Sequence, residues 1–93
     1  MEELLSRLKI DLGISTDAYD SRLTQYMESA EQMITREGIT LAGSEEDDQI
    51  VVMYAAWMWR RRDSGEGMPR MLRYAMNNRL FSQKMGESDG RGH

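Results

Sequence analysis

The chain of 93 residues contains no cysteine, and its single histidine is the last residue, His93. Without cysteine there is no disulfide, no thiol nucleophile and no thiolate ligand for zinc, and this composition favours an intracellular setting. One histidine at the end of the sequence cannot assemble a familiar nucleophile–base pair. We therefore expect a protein that is not an enzyme and that binds no cofactor or metal.

Long apolar runs are also lacking. The longest is IVVMYAAWMW, residues 50–59, and a membrane-spanning helix needs about 20 apolar residues. The first ten residues, MEELLSRLKI, have neither the basic start nor the apolar stretch of a secretion signal. We therefore expect the protein to stay in the cytoplasm and to have no membrane partner.

Residues 50–59 instead predict a buried helix. Acidic residues 45–48 precede them and arginines 60–62 follow, which is the order of charges that a helix dipole favours. A helix that is apolar on every side must be enclosed by other protein. Ser44 marks the helix start, with Asp47 at the position of a loose capping box.

Aromatic and methionine side chains extend this prediction. Trp57 and Trp59 lie about 200° apart around the helix axis, so we expect one to pack inside and the other to lie at a subunit interface. Flexible thioether side chains fill irregular gaps in protein cores. Four methionines fall on faces predicted to be core: Met53, Met58, Met71 and Met76.

Three further helices are predicted from apolar residues at helical spacing. The first ends at Gly13. The second is capped by Ser15 or Thr16 and ends at Gly38. The last begins near Pro69, because proline is tolerated in a first turn. The three apolar stripes are Leu4, Leu5, Leu8 and Leu12; Tyr19, Leu23, Tyr26, Met27, Ala30, Met33 and Ile34; and Met71, Leu72, Ala75, Met76 and Leu80.

These patterns predict an all-α fold: a small bundle of three main helices with a short N-terminal helix and a disordered C-terminal tail. Residues 1–85 form the helical domain. Residues 86–93, GESDGRGH, contain three glycines and no apolar side chain, so we expect a flexible tail. A domain of this size has a small core, and partners therefore matter for its stability.

Charge is distributed unevenly along the chain. Residues 1–48 contain twelve acidic and four basic residues, whereas residues 49–93 contain four acidic and eight basic residues. In a head-to-tail assembly each subunit meets its neighbour through two different surfaces, and opposite charges on those surfaces set the orientation. The alternative is an acidic helix and a basic helix that are merely solvated in a monomer.

Four segments, taken in order, resemble the small head-tail connector, or adaptor, proteins of tailed bacteriophages and prophages. They are LLSRLKIDLGI, DAYDSRLTQYMESAEQMI, DDQIVVMYAAWMWRRR and MPRMLRYAMNNRLFSQKM. The resemblance implies a structural virion protein at the head-tail junction. About a dozen copies would form a ring on the portal during head completion, as a closed cyclic assembly. The ring would extend the DNA channel without sequence-specific DNA binding and support the next tail-proximal protein.

The resemblance also implies that the C-terminal segment embraces the portal, and we predict three sets of site residues from it. The candidate portal-binding residues are Arg79, Phe81, Gln83, Lys84 and Met85. The candidate ring-interface residues are Tyr26, Trp59, Arg60, Arg61 and Arg73. The candidate channel-facing acids, which would repel passing DNA, are Asp17, Asp20, Glu28 and Glu31.

Three alternatives stay open from the sequence. The acids at 45–48 can bind a cation in principle, although such a run at a helix start is more often a solvated turn that matches the helix dipole. The six arginines between Arg60 and Arg79, on two helices joined by a glycine-containing turn, outline a helix-turn-helix-like DNA-binding protein. The apolar helix faces also suit an adaptor or regulator that binds a host protein through a helix in a groove.

Overall fold

The computed structural model describes the backbone of residues 2–91 and the side chains of residues 2–86. Four helices make up this part of the chain: α1 (Glu2–Leu12), α2 (Asp20–Arg36), α3 (Glu45–Ser64) and α4 (Arg70–Arg91). No strand occurs among the described residues. The predicted all-α fold is confirmed. No described helix is both long enough and apolar enough to span a membrane.

Helix α3 is the centre of the bundle. It packs against α1, α2 and α4, and its buried side chains cover about 260° of its circumference. These are Asp47, Ile50, Val51, Val52, Tyr54, Ala55, Ala56, Trp57 and Trp59. A helix without a polar face is stable only when neighbouring helices cover it. The prediction of an enclosed apolar helix is confirmed.

Both tryptophans of α3 are buried, each with 8% of its surface exposed. The expectation that only one of them packs inside is therefore wrong. Trp59 meets the rings of Tyr19 and Tyr26 edge-on, and Trp57 meets the ring of Tyr54 in the same way. Because α3 is enclosed on more than one side, two opposite directions from its axis both lead into the core.

Helix ends follow local chemistry at most positions. The Ser44 hydroxyl accepts a hydrogen bond from the Asp47 amide at 3.1 Å and caps α3, as expected of a serine N-cap. Gly13 and Gly38 lie just beyond α1 and α2 with positive φ, as predicted. The predicted cap of α2 is wrong: α2 begins at Asp20, and Tyr19 caps it without a side-chain hydrogen bond.

Helix α2 starts later because Thr16, one of the two predicted caps, stabilises a turn before the helix instead. The hydroxyl of Thr16 accepts a hydrogen bond from the Ala18 amide at 3.2 Å, and the Asp20 amide donates to the Asp17 carbonyl at 3.2 Å. Threonine side chains form such local turns as readily as caps. The chain therefore makes one extra turn before α2 begins.

Helix α4 is only half packed. Leu72 and Met76 are buried against the core, and Ala75 and Leu80 are partly buried. Met71, which was predicted to be core, is 73% exposed. It lies about 100° around the axis from Leu72, and the buried stripe continues from Leu72 away from it. The predicted flexible tail at 86–93 falls largely outside the residues with described side chains, and it stays a prediction.

Candidate interaction surfaces

A buried carboxylate fixes α4 to the bundle. Asp47 is 1% exposed, and its Oδ1 accepts a hydrogen bond from Arg79 Nε at 2.5 Å. Its Oδ2 accepts a hydrogen bond from the Ala42 amide at 2.6 Å. Arg79 Nη2 also donates to the Thr40 carbonyl at 2.7 Å. One ion pair thus joins the start of α3, the loop before it and α4.

Gln83 extends this connection by one helical turn. Its Oε1 accepts a hydrogen bond from the Thr40 amide at 2.7 Å, and its Nε2 donates to the Gly38 carbonyl at 2.8 Å. We call Asp47, Arg79 and Gln83 the inner clamp. The loop at residues 38–42 has no regular secondary structure, so the clamp supplies partners for its backbone groups.

The inner clamp also determines the ionisation of its members. Burial by itself raises the pKa of Asp47, but hydrogen bonds from Arg79 and from the Ala42 amide outweigh burial and hold that pKa below its ordinary value. The hydrogen bond to Asp47 raises the pKa of Arg79. Both groups are therefore charged at neutral pH, as a buried pair must be if neither charge is to be left without a partner.

Sequence reasoning missed the inner clamp, although a signal was present. The acidic run at 45–48 was interpreted as a solvated turn, which holds for the exposed Glu45 and Glu46 but is wrong for Asp47. Asp47 precedes Ile50 and Val51 by three and four residues, a spacing that puts it on their face of the helix. Arg79 follows Met76 by three residues in the same way.

The five candidate portal-binding residues divide into two groups. Arg79 and Gln83 belong to the inner clamp, so their polar groups are engaged within the chain. Phe81, Lys84 and Met85 are exposed. Only these three present free side chains to a partner.

An apolar stripe runs along the outward face of α4. Its members, which we call the outer stripe, are Met71, Tyr74, Phe81 and Met85. They lie within about 80° of one another around the axis and on the side opposite Leu72 and Met76. Phe81 is 65% exposed. Exposed apolar residues that are scattered singly are ordinary, but four on one helix face indicate an interaction surface, here in two pairs with the exposed Asn78 between Tyr74 and Phe81.

The five candidate ring-interface residues are not equally available. Trp59 is enclosed by Tyr19 and Tyr26, so only its edge reaches solvent. Arg60 Nη2 donates to the Asp11 carbonyl at 3.3 Å and lies 3.7 Å from the carboxylate of Asp11. The remaining candidates, Tyr26, Arg61 and Arg73, keep partly or fully exposed side chains.

Arg73 and Arg61 contact other parts of the same chain. Arg73 Nη1 lies 2.9 Å from the carboxylate of Glu37 and joins α4 to the end of α2. The guanidinium of Arg61 lies over the ring of Trp57 at 4.7 Å, an arrangement in which the cation keeps its charge while it packs. Arg61 can therefore still attract a negatively charged partner.

A groove lies between the outer sides of α2 and α3. Its three adjoining hollows, of about 280, 330 and 430 Å³, share the side chain of Met58. We call it the cationic groove. Its apolar floor is formed by Tyr26, Met33, Trp57 and Met58, and its rim carries Arg22, Arg36, Arg61 and Arg62. No acidic side chain is among the described residues that line it.

The four candidate channel-facing acids form two separate pairs. Asp17 and Asp20 each lie 2.9 Å from Lys9 Nζ, and hydrogen bonds to Asp20 and Asp17 raise the pKa of that lysine. Glu28 and Glu31 line a shallow polar groove of about 560 Å³ further along α2. Within the described part of the chain, only this second pair lacks a cationic partner.

Some of the opposite charges of the two chain halves form ion pairs within one molecule. The pairs Arg60–Asp11, Arg73–Glu37 and Arg79–Asp47 each join the basic half to the acidic half. These three arginines point towards α1, the end of α2 and the loop before α3, so they do not form one basic face. Nothing in this arrangement favours the alternative of a helix-turn-helix-like DNA-binding surface.

Chemical sites are not evident in the described residues. No group of three or more acidic, histidine or cysteine side chains is close enough there to bind a metal ion. The outer stripe, the cationic groove and the acids of α2 are the candidate interaction surfaces of the described residues.

A family model for phage gp6-like head-tail connector proteins matches residues 2–82. The chain belongs to this head-tail connector family. The match extends from α1 into α4 and includes two of the three members of the inner clamp, Asp47 and Arg79, whereas Gln83 lies one residue beyond its end. Comparisons with curated proteins and with solved structures give no significant match.

Membership of the connector family gives the protein a general role. It is a structural phage protein and a component of the virion, and it interacts with other virion proteins. The exposed apolar stripe and the cationic groove are surfaces of the kind that such interactions need.

Proposed function

We propose that the protein forms an oligomeric adaptor ring that joins the portal of the phage head to the tail or to the next head-completion protein. The ring extends the DNA channel, and DNA passes through it without sequence-specific binding. The observation that carries this proposal is the connector-family match over residues 2–82. The outer stripe and the cationic groove support it, because a ring subunit needs exposed surfaces that contact its neighbours in the ring, the portal and the next protein towards the tail.

The portal contact is proposed at the end of α4 and in the residues that follow. Phe81, Lys84 and Met85 are the exposed members of the predicted set. The inner clamp supports this choice because it ties α4 to the bundle at Arg79 and Gln83. The outward side chains of the same turns are therefore presented from a fixed support.

The ring contacts are proposed at the predicted interface set, with Tyr26 and Arg61 as the members that line the cationic groove. Tyrosine and arginine are enriched among residues that dominate binding energy at interfaces. The other members lie elsewhere: Trp59 is buried, Arg60 contacts Asp11 of α1, and Arg73 pairs with Glu37.

The channel lining is proposed at the acids of α2. Glu28 and Glu31 are the stronger members, since Asp17 and Asp20 share an ion pair with Lys9 that offsets part of their charge. Negative charge on the channel wall would repel the DNA backbone and keep it from adhering.

The proposal is tested by native mass spectrometry and negative-stain imaging of the full chain, alone and mixed with the portal protein of the same phage. A closed ring of about a dozen copies, alone or on the portal, is expected from the cyclic assembly. A monomer or dimer that does not bind the portal contradicts the proposal.

Two variants locate the portal contact. Phe81→Ser and truncation after Met85 should each weaken portal binding, while helical content changes little because neither alters the core. Met71→Ser is the matched control, since it removes a similarly exposed side chain from the other end of the outer stripe. Equal portal binding by all three variants would move the contact away from the end of α4.

Charge reversal tests the channel lining. Replacing Glu28 and Glu31 by lysine should leave ring formation intact but slow DNA ejection from assembled particles, because the reversed charges attract the DNA backbone. Reversal of Asp63, in the last turn of α3, and Glu66, in the turn before α4, is the control. Normal ejection by both variants would show that the α2 acids form only a solvated face.

A further inference from the structure

The cationic groove combines two features that call for a particular partner. Its floor contains the 40% exposed side chain of Met33, and its rim carries four arginines and no described acid. Arg22 and Arg36 form no ion pair with another described residue. An apolar floor surrounded by cations fits an acidic helix that presents an apolar side chain.

Helix α1 has a surface of this kind. Ile10 is 81% exposed, which is the highest value among the exposed large apolar side chains described here. Glu3 lies two turns earlier on nearly the same face, with Glu2 beside it. Both glutamates are exposed, and Glu3 pairs only with Arg7 at the surface.

A molecule cannot place its own α1 in its own groove. Arg60 faces the α1 side of the bundle, where its Nη2 donates to the Asp11 carbonyl. It lies about 200° around α3 from Met58, the residue at the centre of the groove. The acidic face and the cationic groove therefore point away from each other and can meet only between two molecules.

We infer that the outward face of α1 in one copy, with Ile10 and the acids Glu2 and Glu3, docks in the cationic groove of the next copy. The contact joins two different surfaces, so it propagates head to tail and closes into a ring when the rotation allows. The inference rests on the proposed ring and assigns the two faces of its subunit contact. The end of α4, with Phe81, Lys84 and Met85, stays available for the portal.

Cross-linking tests the contact directly, because the chain has no cysteine. The double variant Ile10→Cys with Met33→Cys should give a ladder of covalent oligomers on mild oxidation, since each copy then carries both halves of the contact. Met33→Cys combined with Tyr74→Cys is the matched control, which places the second cysteine on the outer stripe instead. Portal-bound rings are imaged in parallel for both variants.

The possible outcomes distinguish failure of this subunit contact from failure of the proposed ring. A ladder from the 10/33 variant, and none from the 33/74 variant, supports the contact. A ladder from the 33/74 variant alone shows that α4 occupies the groove and overturns it. Rings without a ladder from either variant also overturn it while the adaptor function stands. The absence of any assembly, alone or on the portal, removes the proposed ring and the contact together.

A charge exchange gives a second, independent test. Arg22→Glu with Arg36→Glu should raise the concentration needed for half-maximal assembly by about tenfold or more, and so should Glu2→Arg with Glu3→Arg. All four changes together should restore assembly, because the opposite charges then face each other again. Failure of the combined variant to recover, with normal circular dichroism, contradicts the contact.

Discussion

Helices α3 and α4 are similar in length but are held in different ways. Helix α3 is fixed by apolar packing over most of its circumference. Helix α4 buries only Leu72 and Met76 fully, and its second attachment is the polar inner clamp. The outward side of α4 carries apolar residues that no part of the described chain covers.

The difference indicates how a small domain can serve as a connecting part. Apolar packing on most sides makes α3 a rigid centre, and its uncovered part contributes Met58 and Arg61 to the cationic groove. A helix held by a directional ion pair on one side can leave its other side for a partner. The stability of α4 therefore depends on a few atoms, whereas the stability of α3 depends on many, and substitutions can separate the two.

The largest expected effect is on α3. Trp59→Ala removes a buried aromatic ring that contacts Tyr19 and Tyr26, and it should lower the free energy of unfolding by about 3 to 5 kcal/mol. Tyr74→Ala, on the outer stripe of α4, should change it by less than about 0.5 kcal/mol. Urea denaturation followed by circular dichroism measures both. Equal losses of unfolding free energy in the two variants would contradict the difference in packing between α3 and α4.

The inner clamp should be the next most sensitive feature. Arg79→Ala leaves the Asp47 carboxylate buried without its cation, and it should cost about 3 kcal/mol. Arg73→Ala removes a more exposed pair with Glu37 and should cost less than about 1 kcal/mol. The double variant of Asp47 and Arg79 to alanine should lose less than the sum of the two single losses. If Arg79→Ala lowers the free energy of unfolding by no more than Arg73→Ala does, apolar packing alone holds α4.

The pH dependence of stability tests the same clamp. The pKa of Asp47 is lower in the folded protein than in the unfolded chain, where it is about 3.9. Its contribution to stability is therefore fully present above about pH 4 and is lost as pH falls from that value through the folded-state pKa. Denaturation at a series of pH values should show this loss, and Asp47→Asn should reduce it. An identical pH profile for the variant would exclude Asp47 as a source of the acid sensitivity.

The smallest effect is expected in the turn between the two helices. Gly65 has φ of 68° and ends α3, where a side chain is strained, so Gly65→Ala should cost about 1 kcal/mol. Gly67→Ala is the control, because its φ lies outside the left-handed range and a Cβ there meets no atom within 4 Å. Thermal unfolding distinguishes them. Equal melting temperatures would show that the turn relaxes without strain.

The predictability of these features from the sequence varied with the range of the interactions involved. Residues 50–59 predicted a buried helix correctly, because ten apolar residues in a row leave no polar face. The capping role of Ser44 was also predicted, since it depends on an amide three residues away. The start of α2 was missed because Thr16 supports a turn as well as a cap.

The candidate sites were predictable to a smaller extent. Phe81, Lys84 and Met85 were expected to be available and are exposed, but Arg79 and Gln83 belong to the inner clamp. The role of Arg79 depends on Asp47, which lies 32 residues earlier. Met71 was assigned to the core because methionine is apolar, whereas the position of α4 against α3 turns it outward.

The all-α character, the central position of residues 50–59 and the separation of acidic and basic halves all follow from the amino-acid sequence. These properties depend on periodicity and composition, which are local or additive. Helix packing, in contrast, sets which charges are paired within the chain, which face of α4 is covered and where the cationic groove lies. Those outcomes depend on the relative placement of helices, and an ion pair or a groove exists only when side chains from distant segments come within a few ångströms.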